Sequence, residues 1–309
     1  MTETLKNTLN ETWAKGTELF EYSSAANPRM PSIEIDVFPA SLHQIDETKI
    51  IPLNLGEKLE TPYPCTGPSL LANYIHINPS ESITTKSNSS SQVFYCIRGK
   101  GHTKTPDGIV TWKTGDYFAT PGQFEFEHFA DEDSAFYWVN DSPLLSYLGA
   151  TQSEKKFRPV FFSSELLNTS LENVRKENEG KDKNRNGILL GNRDCPLTKT
   201  VTHTMWSLYN LLPRNTRQKA HRHNSIALDL CVSAGPDTYT LIGKRIDKEG
   251  NIINPIRADW KPGTVFVTPP GWWHSHHNES DEDAIVLPVQ DAGLHTQVQT
   301  LDIQFSKGY

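Results

Sequence analysis

The stretch AHRHNSIALDL, residues 220–230, decides how this chain is read. It sets His221 and His223 two positions apart in a run of strand character. Side chains alternate across a strand, so both imidazoles point to one face and can reach a single metal ion. Further along, GTVFVTPPGWWHSHHNES, residues 263–280, supplies a third imidazole, His274, just after a Pro-Pro-Gly turn. Three histidines around a divalent metal leave open positions for a substrate or dioxygen.

The spacing of the second stretch is more specific than a loose histidine cluster. Gly263, Pro269, Gly271, His274 and Asn278 match the second cupin motif position for position, and His221 and His223 supply the paired histidines of the first. The region resembles the cupin superfamily, small antiparallel β-barrels that hold a metal in their mouth. The usual cupin carries a glutamate shortly after the histidine pair; here those positions are Ala227 and Leu228, so that ligand is absent. A three-histidine site without the carboxylate is what a resemblance to gentisate 1,2-dioxygenase and its salicylate-cleaving relatives implies. Those enzymes share the look of TPP-x-x-WH-x-H-x-N, read here from Thr268 to Asn278.

Residues 66–150 resemble a first cupin, with strand-like runs such as SQVFYCIRG and IVTWKTGDYFATPG broken by turn residues. Gly115 and Pro121 match the start of the second motif, but TTKSNSSS stands where the histidine pair is expected and Phe126 where the third histidine is expected. This barrel is expected to be metal-free, with His128 structural. Its text resembles the non-catalytic half of gentisate dioxygenases, which in that family comes second. The barrel order is therefore reversed here, which bears on the substrate more than on the metal chemistry.

These observations give an all-β fold: a bicupin of two jelly-roll barrels (double-stranded β-helices) with an N-terminal helical arm and a short helical connector. The expected divisions are an arm with lead-in strands over 1–65, the metal-free cupin over 66–150, a connector over 151–196 and the metal-binding cupin over 197–309. Apolar residues at Leu5, Leu9, Trp13 and Leu19 predict a helix from residue 2 to about 22. Another helix is expected from Ser163 to about Lys176, with Ser163 or Ser164 as N-cap. The charged segment 177–187 reads as a solvated loop, with a lid over the site as the sharper alternative.

Composition narrows the function classes. A chain of 309 residues is long enough for two domains, and its net charge of −7 with no basic block argues against a nucleic-acid surface. Seven Trp and thirteen Phe suffice to fill two barrel interiors. Cys65, Cys96, Cys195 and Cys231 show neither CxxC spacing nor the density of a disulfide scaffold. No signal-like segment or membrane-length apolar run is present, so the cytosol is the expected compartment.

Around the ligands, each residue has a functional and a structural reading. Alternation sends His276 to the side of His274, as an acid–base or substrate-orienting group or as a hydrogen-bond partner of a ligand. His277 faces outward, Arg222 points away from the ligands, and Asn278 caps a turn. Gln218 sits near the rim. Arg257 binds a substrate carboxylate or pairs with a nearby aspartate. Trp272 and Trp273 wall an aromatic pocket or pack in the core. Gln290 follows the closing strand as a substrate contact. Asp291 matches an acidic position at which gentisate-type enzymes touch substrate. The resemblance thus implies a non-haem Fe(II) dioxygenase, with Mn, Ni or Zn as other metals, acting on a hydroxy- or aminobenzoate-like acid. Its partners would be that small molecule and dioxygen, in a homodimer or homotetramer. The alternatives are a cupin metalloenzyme of another class (an oxygenase of non-aromatic substrates, a lyase, an isomerase or a hydrolase) and a metal-dependent binding protein.

Overall fold

The structure is a computed structural model that describes residues 4–26, 28–178 and 186–306. It divides into two units between Ser32 and Ile33. In the first, a helix Thr4–Ala14 and a short helix Tyr22–Ala25 replace the single helix expected to residue 22. The break falls at Lys15-Gly16, where the Gly16 amide bonds the Trp13 carbonyl in a turn.

The second unit contains two barrels, every named strand pair antiparallel. In the N-terminal barrel a six-stranded sheet runs in the order Val160–Phe162, Tyr117–Pro121, Ser91–Arg98, Ser134–Asn140, Leu71–Ile77, Lys49–Pro52. Against it packs a four-stranded sheet of Ser82–Thr85, Phe126–Ala130, Lys100–Thr105 and Gly108–Lys113. The C-terminal barrel repeats the plan. Its six-stranded sheet runs Val37–Phe38, Val265–Thr268, Ala227–Ser233, Ala284–Gln290, Trp206–Leu212, Asn186–Leu190. Its facing sheet runs Ile256–Asp259, Thr238–Gly243, Trp273–Asn278, His221–His223, Ile303–Phe305, with Thr216–Arg217 also paired to Trp273–Asn278.

The expected linear divisions are crossed by strand exchange. Val37–Phe38, from the lead-in region, edges the C-terminal barrel, whereas Lys49–Pro52 edges the N-terminal one. The connector gives Val160–Phe162 to the first barrel and Asn186–Leu190 to the second. Between them lies the helix Ser164–Asn178, whose N-cap is Ser163: its hydroxyl accepts from the Leu166 amide. Most of the segment read as a loop, 179–185, lies outside the described residues.

Alternation explains how the layers stack. In Val265–Thr268 the valines face one way and Phe266 and Thr268 the other, into the barrel. Val265, Val267, Leu228, Leu230, Leu287 and Val289 join Tyr74, Val93, Tyr117, Tyr137 and Val139 in one core cluster. The two six-stranded sheets therefore pack back to back, and the largest apolar core lies between the barrels. Tyrosine hydroxyls complete this layer: Tyr74 donates to the Gly263 carbonyl at 2.7 Å and Tyr137 to that of Leu228 at 3.1 Å. All four cysteines are buried free thiols. Among the described residues no helix is long and apolar enough to cross a membrane.

Candidate metal centre

The three histidines named from sequence converge inside the C-terminal barrel. His221 pairs directly with His274 across an antiparallel register, and His223 follows two residues on, so all three rings share the inner face. Ring centroids lie 3.9 Å apart for His221 and His274, 4.8 Å for His223 and His274, and 5.8 Å for His221 and His223. One ligand nitrogen from each comes within 4.8 Å of the others, and all three residues are buried. The Pro-Pro-Gly turn is tied to the ligand strand by a 2.7 Å bond from the Gly271 amide to the His223 carbonyl. Gly271 has φ +75°, a left-handed conformation suited to glycine.

Backbone carbonyls fix two of the rings. His223 Nδ1 lies 2.9 Å from the Ser225 carbonyl, and His274 Nδ1 lies 3.1 Å from that of Trp272. A carbonyl only accepts, so each Nδ1 carries a proton, which leaves Nε2 as the nitrogen a neutral ring would offer to a metal. Buried imidazole nitrogens converging in this way fit a borderline divalent cation. No carboxylate joins the cluster. Ala227 holds an inward position of its strand, and Asp229, two residues on, shares that face. Asp229 accepts a 2.6 Å hydrogen bond from the Thr268 hydroxyl, and full burial pushes its carboxyl up to about 7. Sequence reading missed Asp229 because it tested only the glutamate positions; alternation from Ala227 would have turned it inward.

Other residues line the same face. The Gln218 amide bonds the His276 carbonyl at 2.8 Å, which sets the two residues opposite each other. Gln218 is fully buried, and neither its side-chain oxygen nor its nitrogen has a hydrogen-bond partner among the described residues. The same holds for the indole nitrogen of Trp206, which sequence reading passed over. Trp206 pairs in register with Gln290, whose side-chain oxygen accepts from Ser225 at 2.8 Å. On the other flank Ile303 pairs with His223 and Phe305 with His221, giving the ligands an apolar neighbour strand from near the C-terminus.

Register turns Arg257 and Trp273 away from the cluster. Arg257 pairs with Leu241, which pairs with Ser275, so its side chain lies on the face opposite His274. There it ion-pairs with Asp259 at 2.6 Å and Asp237 at 3.5 Å and lies 3.8 Å over the Tyr239 ring. Trp273 adjoins His274 on the strand, so it points outward, beneath the Arg222 guanidinium at 5.4 Å. Arg222 itself bonds Gln304. Trp272 packs against the inner core and carries the Lys244 ammonium at 4.8 Å. His277 faces outward, stacked on Tyr239, and Asn278 holds the turn through Ser280 and Glu282. Asp291 is engaged at both oxygens, by the Ser69 hydroxyl of the first barrel at 2.6 Å and the Ile226 amide at 3.0 Å. It ties the segment after His223 to the neighbouring barrel.

The N-terminal barrel shows what replaces a ligand set. Thr85 pairs with Phe126 as His221 pairs with His274. His128 is fully buried between Thr103 at 2.8 Å and Thr85 at 2.9 Å, and desolvation pushes it down to about 3. Phe94, Phe118, Phe126, Phe136 and Trp138 fill the remaining space, Phe94 stacking on both Phe118 and Trp138.

Two barrels back to back, one with inward histidines and one packed with rings, define a bicupin. Solved structures share this fold over nearly the whole chain. The salicylate 1,2-dioxygenase of Pseudaminobacter salicylatoxidans superposes with a TM-score of 0.73 at 14% identity, covering 97% of each chain. A cupin 2 conserved barrel domain protein from Leptotrichia buccalis gives 0.50 at 11% identity, over 84% of this chain and 97% of that one. Curated relatives are 1,2-dioxygenases by name. The gentisate 1,2 dioxygenase 1 of Aquipseudomonas alcaligenes is 23% identical over 166 residues, 54% of this chain and 44% of that protein. The 1-hydroxy-2-naphthoate 1,2-dioxygenase of Nocardioides sp. (strain KP7) is 29% identical over 110 residues, 35% of this chain and 24% of that one. The 5-aminosalicylate 1,2-dioxygenase of Comamonas sp is 28% identical over 109 residues, 35% and 27%. The chain thus spans less than half the length of these curated relatives. No family model matches it.

Proposed function

We propose that the protein is a metal-dependent ring-cleaving dioxygenase acting on a small aromatic acid that carries a hydroxyl or amino group. The observation that supports this most is the set of three buried imidazoles, His221, His223 and His274, within reach of one ion and without a carboxylate among them. The neutral donor set leaves a divalent metal its full charge, which favours an anionic chelating substrate. Bound Fe(II) would supply the Lewis acidity and redox chemistry that let dioxygen and a chelating hydroxy or amino acid react, opening the ring between the two substituents.

The chain's own part is to bind, orient and keep water out. His223 and His274 are held by carbonyls, so their rings present Nε2 without rotating. Gln218 offers a donor and an acceptor to a bound acid from a fully buried position, and Trp206 a further donor. His276, opposite Gln218, faces the same space. Ile303 and Phe305 make the neighbouring strand apolar. Asp291 and Gln290 act at one remove, by fixing Ile226 and Ser225 behind His223. Four free buried cysteines suit a reducing compartment such as the cytosol.

The test is metal analysis of protein purified without chelators, followed by oxygen uptake with a panel of hydroxy- and aminobenzoates. Stoichiometric metal and uptake with a ring-opened product are expected. His223→Ala should lose both while keeping the fold by circular dichroism. Uptake only with non-aromatic compounds, or full metal in His223→Ala, overturns the assignment.

A further inference from the structure

The two barrels are built on one register, so the filled barrel maps the interior of the other. In the N-terminal barrel Phe94 pairs with Phe118 on one side and Trp138 on the other, and Gln92 pairs with Thr120 and Asn140. In the C-terminal barrel Asp229 pairs with Phe266 and Pro288, and Ala227 with Thr268 and Gln290. Cys96 and Cys231 fix the alignment: their amides bond the carbonyls of Asp116 and Thr264, and their carbonyls take the amides of Gly115 and Gly263. Gln92, Phe94 and Trp138 thus stand where Ala227, Asp229 and Pro288 stand in the barrel with the histidine cluster.

In the N-terminal barrel these three side chains are a plug. Phe94 stacks on Phe118 at 4.8 Å and on Trp138 at 5.8 Å between centroids, and the Trp138 indole nitrogen donates to Gln92 Oε1 at 3.1 Å. The Phe94 ring lies 5.2 Å from that of His128 and 6.3 Å from that of Phe126. Those two hold the places of His276 and His274, because Thr85 pairs with Phe126 as His221 does with His274, and Thr103 with His128 as Thr240 does with His276. Position 229 therefore faces the same interior as the cluster. The C-terminal barrel has a shorter side chain at all three plug positions, while Phe266 keeps the place of Phe118. One polar group stands among them. Asp229 is buried, and the Thr268 hydroxyl, donating to Oδ2 at 2.6 Å, is the one hydrogen-bond partner of its carboxyl among the described residues. A carboxyl has acceptor sites for several.

We propose that Asp229 is a specificity-determining residue: the substrate ring lies beside Phe266, in the space that Phe94 and Trp138 fill in the other barrel, and a hydroxyl or amino group on the ring edge away from the histidines hydrogen-bonds Asp229. This rests on the reading of the site as one for aromatic acids, and narrows it to acids with a polar substituent beyond the pair that would chelate a metal. A hydroxyl suits the carboxyl in either protonation state, since it both donates and accepts. An alkyl group there would bury the carboxyl without compensation.

The test is calorimetric binding, without oxygen, to the Fe(II)-loaded enzyme, using salicylates that carry hydroxyl, amino or methyl at each free ring position in turn. At one position wild type should bind the hydroxyl or amino compound about tenfold more tightly than its methyl counterpart, as for one hydrogen bond to a buried carboxyl. Asp229→Asn should keep that preference and Asp229→Leu should lose or reverse it; Asp229→Ala reads the same loss if the leucine variant does not fold. Ala227→Gln combined with Asp229→Phe rebuilds the plug, and should bind none of the compounds while keeping wild-type metal content. No binding or no preference at any position in wild type, the same preference in Asp229→Leu or Asp229→Ala, or undiminished binding in the double variant overturns the inference. Binding and metal content are read without turnover. A protein that shows the preference but leaves these acids uncleaved would overturn the dioxygenase reading and leave this one standing.

Discussion

Asp229 is a carboxyl kept inside the barrel interior with a single threonine hydroxyl on it, and its cost is measurable. Burial raises it from 3.8 to about 7, so the folded chain binds a proton there that the unfolded chain has released. The sign follows. Between about pH 4 and pH 7 this group makes stability fall as pH rises, the full loss being present above pH 7, and on the order of 4 kcal/mol is at stake. Asp229→Asn should flatten that part of the melting-temperature profile and be the more stable variant at pH 8. If the difference between the two profiles is constant from pH 4 to pH 8, the raised carboxyl is not there. At this scale the convergence of His221, His223 and His274 was legible in sequence because a two-residue period needs no knowledge of the fold. The place of Arg257 was not, since its face is set by pairing with Leu241 and through it with Ser275, whereas the outward face of Trp273 follows from its position next to His274.

The turns that lead into Val265–Thr268 and Trp273–Asn278 are the sensitive elements. Gly263 and Gly271 both have positive φ, +82° and +75°. They differ in surroundings: a Cβ on Gly263 would lie 2.7 Å from His43 Nε2, whereas one on Gly271 meets nothing within 4 Å. Gly271→Ala should cost about 1 kcal/mol, the backbone penalty alone. Gly263→Ala should cost clearly more, because the His43 ring must also move, and that ring is held between Arg98 and the Gly263 carbonyl. Denaturant unfolding of the two variants checks the order; equal losses would show that the crowding at Gly263 relaxes freely. The strand Ile303–Phe305 pairs beside His221–His223, a neighbour that sequence analysis did not name. Its position depends on where the chain returns after the helix Ala292–Gln297, and no local pattern carries that.

Across the second unit, the two barrels have one apolar core in common. Leu228, Val265 and Leu287 of one sheet and Tyr74, Val93 and Tyr137 of the other are buried together, and strands from the lead-in region and the connector edge both barrels. Separating the barrels would expose that layer and orphan the Tyr74 and Tyr137 hydroxyls. The barrels should therefore unfold in one transition, with calorimetric and van't Hoff enthalpies equal. Two resolved transitions would contradict a common core.

Residue spacing alone pointed to an all-β chain, to a repeated cupin plan, and to His221, His223 and His274 of the second copy, rather than anything in the first, as the proposed metal ligands. Those are short-range facts, written in alternation, in glycine and proline turns, and in the histidines missing from TTKSNSSS. Only the tertiary structure decided which side chains share the ligands' space. Gln218, Trp206 and Asp229 come in, Arg257 goes out, and Asp291 is drawn to the other barrel. The reason is physical: a bulge, a register or a returning strand changes the face of every residue after it, and those are set by pairing with distant segments.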